Sequence, residues 1–157
     1  MHSRGVIDAI KKIRAWVARD DDGIRPPRPD ELAMAFELLP RDGPTWTALL
    51  LWGAIQQDPI PEPLLDRLCT PEFRGRLDVV DVRAVLAGTS VTNIPRYPAP
   101  DLAHVLFVLD QPEPIVVEAG HPTRMRAHHV SLVFRPEWGG WRVHAVGEPV
   151  QPEQVGT

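Results

Sequence analysis

The hydrophobic period changes once along this chain, at Gly88, and that change restricts the folds open to it. Before Gly88, apolar residues recur at steps of three and four; after it, they alternate. Leu102 to Leu109, Ile115 to Ala119, Arg126 to Arg135 and Trp141 to Gly147 read as strands, bounded by Gln111-Pro112-Glu113-Pro114 and Pro136-Glu137-Trp138-Gly139-Gly140 as turns. Helices first and antiparallel strands afterwards predict an α+β fold, with the N-terminal helices packed on one face of a curved antiparallel sheet. At 157 residues the chain is long enough for one domain to bury a core without disulfides or metals.

The helical half is punctuated by proline and glycine. Val6, Ile10, Ile13 and Val17 share a face, and Asp20-Asp21-Asp22-Gly23 is expected to end that helix. Ile24 to Pro29 holds three prolines and reads as an extended connector, so residues 1–29 form an N-terminal helix and linker, residues 30–147 the main domain and residues 148–157 a polar, loosely attached tail. Asp30 caps a second helix carrying Leu32, Ala35, Phe36 and Leu39. A third, about Thr45 to Gln57, is apolar nearly all round and belongs at the core. Pro59, Pro61 and Pro63 are expected to keep the next link extended. Thr70-Pro71-Glu72 has the order of a helix start: cap, proline, acid. From Asp78 to Gly88 four valines favour a strand, but the period of Val79, Val82, Val85 and Leu86, with Asp78 as cap, favours a helix.

The terminal hairpin permits a register argument. With Glu137 to Gly140 as a four-residue loop, Phe134 falls opposite Val143 and Leu132 opposite Ala145. Val130, Leu132, Phe134, Trp141, Val143 and Ala145 then make one apolar face. Ser131, Val133, Arg135, Arg142, His144 and Val146 make the other.

This order of elements, with the long hairpin Leu132-Val133-Phe134-Arg135-Pro136-Glu137-Trp138-Gly139-Gly140-Trp141-Arg142-Val143-His144, resembles the NTF2-like superfamily over roughly residues 45 to 147. The resemblance implies a cone of helices closed by a bent sheet. It also implies one of two kinds of function: isomerases, dehydratases and hydrolases with an Asp/His/Tyr pocket, or non-catalytic binding and dimerising modules. The proline-rich connector departs from the simplest layout of that family.

Residue types remove several chemistries. There are fifteen arginines but only two lysines, Lys11 and Lys12, and no phosphate-binding glycine loop, so a phosphate-cradling or imine-forming lysine has only that pair to come from. The lone Cys69 forms neither an intrachain disulfide nor a cysteine zinc cluster, and reads as a small buried hydrophobe. Gly88-Thr89-Ser90-Val91-Thr92 misses the nucleophile-elbow pattern at its last position, and Ser131 reads as a mid-strand filler. In this register His129 and the position of His144 stand about 13 Å apart, too far for a shared metal ion, so neither metal nor cofactor is expected. The start of the chain lacks an apolar leader and no apolar run reaches membrane-spanning length, which points to a cytoplasmic protein without membrane contact. The net charge of −4 argues against nucleic acid. The excess of arginine, alanine and proline suits a high-GC bacterial coding bias.

Two readings of function remain. In the first, the chain is a non-catalytic interaction module, a homodimer or part of a larger assembly. Trp138 at the hairpin tip then serves as anchor, with Arg135, Arg142, His144, Tyr97 and His104 as binding residues. Residues 99–120 carry four acids and no arginine or lysine, whereas Arg124, Arg126, Arg135 and Arg142 follow, so strands of opposite charge are expected to pair across the sheet or across a twofold axis. In the second, His104 and Asp110 flank apolar positions on one strand face and act as acid–base groups on a small molecule.

Overall fold

The computed structural model describes residues 12, 18–20, 23–25, 30, 34, 37–91, 94–109 and 127–155. The helix expected over Val6 to Val17 is represented there by Lys12 alone, and the strand expected at Ile115 to Ala119, with Asp110, Arg124 and Arg126, lies outside the described residues. Among the described residues the fold is α+β: four bounded helices between Pro44 and Leu86 are followed by an antiparallel five-stranded sheet. Asp30, Met34, Glu37 and Leu38 are helical at the place of the expected second helix, whose Leu32, Ala35 and Phe36 lie outside the described residues. Ahead of them, β1 (Ala18–Asp20) pairs antiparallel with β2 (Gly23–Arg25), so the acidic stretch expected to finish a helix instead begins in a short hairpin.

Helix α1 (Pro44–Ile55) is the central one. Pro44 opens it, where its missing N–H costs nothing, and both sides of the helix are buried, among them Leu49, Leu51 and Ile55. Helix α2 (Glu62–Leu68) starts earlier than expected: Pro63 occupies its first turn rather than prolonging the link, which is the one helical place a proline fits. Helix α3 (Pro71–Arg76) begins as its sequence implies, with the Thr70 hydroxyl accepting from the Phe73 N–H at 3.1 Å. Helix α4 (Val79–Leu86) settles the conflict between valine propensity and helical period. Asp78 caps it through the Asp81 N–H at 3.1 Å, and Gly88 follows at φ 65°.

The sheet runs β3 (Thr89–Val91), β5 (Leu102–Leu109), β6 (Ala127–Arg135), β7 (Gly140–Gly147), with β4 (Arg96–Ala99) also paired to β5. Helix α1 packs across β5, β6 and β7. Val105, Phe107, Val130, Leu132 and Val143 meet its side chains in one buried cluster. Because strand side chains alternate, the partners Leu102↔Val133, His104↔Ser131 and Leu106↔His129 occupy the second face.

The β6–β7 register differs from the expected one. Arg135 pairs with Gly140 and Phe134 with Trp141, so the four-residue loop is Pro136 to Gly139, one position earlier. A short 3-10 turn over Pro136–Trp138 and a left-handed Gly139 close it. Deeper in the sheet, Leu132 pairs with Val143 but Ser131 with Ala145, which leaves His144 as the extra residue of a bulge. Beside that bulge the chain between α2 and α3 runs parallel to β7. Cys69 bridges Val143, the Thr70 N–H donates to the Val143 carbonyl at 2.9 Å, and Arg76 donates to the His144 carbonyl at 2.8 Å.

Candidate functional site

The hairpin tip gathers three of the expected binding residues. The guanidinium carbons of Arg135 and Arg142 each stand 4.6 Å from the Trp138 ring centroid. Arginine at that distance is drawn to the electron-rich ring, and the stack keeps the indole from rotating freely. Both arginines are tied to the helical layer as well. Arg135 contacts the Glu72 carboxylate at 3.3 Å, and Arg142 donates to the Asp66 carbonyl at 3.4 Å. Hydrogen bonding from its own backbone N–H, helped by Arg135, holds the Glu72 carboxyl below its ordinary range. The charge pairing expected between neighbouring strands is thus replaced, at Arg135, by pairing to α3. The cause is the course of α2 and α3 alongside β7, which brings their acids within reach.

Arg74 extends this network. It bonds Asp66 at 2.9 Å and also pairs with Glu62. Asp66, Pro71, Arg74 and Gly75 line an open depression of about 480 Å³, and its Asp66 is the residue that receives Arg142. Arg142 thus links the stacked tryptophan to one residue that lines the depression. Sequence reasoning missed Asp66, Glu72 and Arg74 as parts of this region. Their helical spacing carries no hint that α2 and α3 would flank the hairpin.

His144 does not belong with the tip arginines. The bulge re-aims it, and it is buried, with Nδ1 2.9 Å from the Thr70 hydroxyl. Thr70 Oγ1 accepts from the Phe73 N–H while its proton is available to an imidazole nitrogen, so a neutral His144 completes the cap. Burial, reinforced by the nearby Arg76 charge, pushes the His144 pKa down from 6.5, with Glu72 opposing.

His104 faces away from the helices and is also buried. Its Nε2–H donates to the Val150 carbonyl at 2.9 Å, and its cross-strand partner Ser131 accepts the Val150 N–H at 3.2 Å. Residues expected as a loose tail thus return over the second sheet face, and Ser131, expected as a filler, helps fasten them. The His129 ring lies edge-on to His104 at 5.6 Å. Burial chiefly, then His104 and Arg96, lower the His129 pKa below 6.5, while Glu148 pulls the other way. Tyr97 is exposed on β4 and 6.0 Å from Trp141, which stacks edge-on with Phe134 at 5.5 Å. Tyr97 and His104 are therefore apart from the Trp138 cluster in their contacts.

His104, expected as an acid–base group, has its Nε2–H committed to a backbone carbonyl. Cys69 is buried, and burial pushes its thiol up to about 12, which keeps it un-ionised at neutral pH. Among the described residues, no three His, Cys, Asp or Glu side chains are grouped to hold a metal ion, and no helix is long and apolar enough to cross a membrane. Comparison with protein-family models, characterised proteins and solved structures yields no match to this chain.

Proposed function

We propose that this chain is a non-catalytic binding module on an NTF2-like scaffold, working through protein–protein contacts as a homodimer or within a larger assembly. One observation carries the reading: the Trp138 ring is stacked by two strand arginines that are themselves tied to α2 and α3. An aromatic ring ordered before contact loses little entropy on binding, which is what makes tryptophan and arginine effective anchors. The hydrogen bonds of His104 and His144 support the same reading, since both buried imidazoles serve the fold.

Light scattering at micromolar concentration tests it. A mass twice that of the chain is expected, falling to the monomer in Trp138→Ala and in Arg135→Glu. If the purified chain is monomeric and Trp138→Ala captures the same proteins from its native host as the unaltered chain, the proposal fails.

A further inference from the structure

The contacts of the hairpin tip, α2 and α3 form one continuous network. On one branch Trp138 stacks with Arg142, which reaches the Asp66 carbonyl; Asp66 binds Arg74, and Arg74 also pairs with Glu62. On the other branch Trp138 stacks with Arg135, which meets Glu72. Carboxylates and guanidiniums are equal in number across these contacts, so the network is neutral on a chain whose net charge is −4.

The balance does not hold residue by residue. Arg74 is shared by two carboxylates, which leaves negative charge in excess at Glu62 and Asp66. Arg142 meets an indole and a backbone carbonyl, and among the described residues no carboxylate pairs with it. Positive excess therefore sits beside Trp138, and negative excess at the depression of about 480 Å³ that Asp66 lines. Between the charged residues of that depression lie Pro71 and Gly75, both exposed and four positions apart on α3, hence on one face. A side chain at Gly75 would enter open space, with no atom within 4 Å of its Cβ.

A twofold axis satisfies separate excesses of opposite sign with a single patch, because each contact between two positions is repeated in reverse. A partner of one sign would be repelled by half of the region. Anchor and depression also lie within reach of one guanidinium, since Arg142 touches both the indole and Asp66. We infer that the depression receives Trp138 of a second copy, reciprocally, while Arg142 of each chain comes to the Glu62 and Asp66 carboxylates of the other. The indole then packs on Pro71 and supplies the apolar centre within a charged rim. This rests on the homodimer reading proposed above and adds where its anchor goes.

Gly75→Trp tests it by placing an indole in the depression from within the chain, with Gly75→Gln as a second filling should the first not fold. Sedimentation of the full chain measures dimer affinity, and circular dichroism checks the helices. Trp138→Ala and Gly75→Trp should each weaken the dimer by roughly tenfold or more, as loss of an anchor implies. Mixed one to one, the two variants regain one of the two reciprocal contacts and should associate with each other roughly tenfold more tightly than either does with itself. A folded Gly75 variant that dimerises as tightly as the unaltered chain overturns the inference and leaves the homodimer reading standing. Mixing without gain also overturns it, because contact between the two Trp138 rings across the axis predicts none. A monomeric unaltered chain removes both; if Gly75→Trp then loses a host protein that the unaltered chain captures, the depression belongs to a different partner.

Discussion

Thr70 is fully buried and serves two partners at once: it accepts the Phe73 N–H that starts α3, and it meets Nδ1 of the bulged His144. Thr70→Val keeps the shape and removes both. Loss of a helix cap costs about 1 kcal/mol, and a buried ring nitrogen left without its partner about 2 kcal/mol more, about 3 kcal/mol together. For a chain of this length that corresponds to a fall in Tm of roughly 6–12 °C. Urea unfolding followed by far-UV circular dichroism measures it. Thr70→Ser is the control, because it retains the hydroxyl and gives up one methyl, about 1 kcal/mol. His144→Phe separates the two contributions: in its background, Thr70→Val should cost only the cap, leaving a coupling of about 2 kcal/mol. Strictly additive costs, or a Thr70→Val loss no larger than that of Thr70→Ser, would refute the shared hydrogen bond.

Acid should weaken the fold below the ordinary histidine range. His129 and His144 are both held below 6.5, chiefly by burial, so the unfolded chain takes up protons at a higher pH than the folded one. Stability is then complete above about pH 6.5 and is lost as pH falls through the depressed values; urea midpoints near pH 8 and pH 5 check this, and the gap should narrow in His129→Gln. Ser131→Ala removes the acceptor for the Val150 N–H, a loss on the order of 1 kcal/mol, and hydrogen exchange at that amide should quicken several-fold with β5 and β6 unaffected. Cys69, with its thiol pushed up to about 12, should resist a thiol reagent in the native chain and react promptly in urea; rapid native labelling would contradict its burial.

Local chemistry was readable from the chain wherever one signal decided the outcome. The Thr70-Pro71 start, the all-round apolar α1 and both ends of β5 follow directly from capping, periodicity and flanking prolines. Asp78 and Gly88 outweighed the strand preference of four valines because end signals fix a helix more firmly than propensity does. The hairpin slipped because Pro136 can enter the loop as readily as end the strand, and alternation survives a shift of two. The bulge at His144 leaves no trace in an alternating pattern, so a residue assigned to the open face proved buried. The Ser131–Val150 bond and the helix acids beside the hairpin depend on contacts between distant segments, which no local period records.

Two stretches of the sheet border, the middle of β7 and β4, are poor templates for strand addition. The middle of β7 has its outward carbonyls occupied, Val143 by Thr70 and His144 by Arg76, and β4 carries Pro98 with Pro95 and Pro100 on either side. A ladder of backbone hydrogen bonds from a neighbouring molecule meets a filled acceptor on one border and missing donors on the other. Along these stretches, contact with another molecule is left to side chains, whereas strand ladders propagate without limit. These two stretches therefore offer a neighbouring molecule little from which to template a fibre.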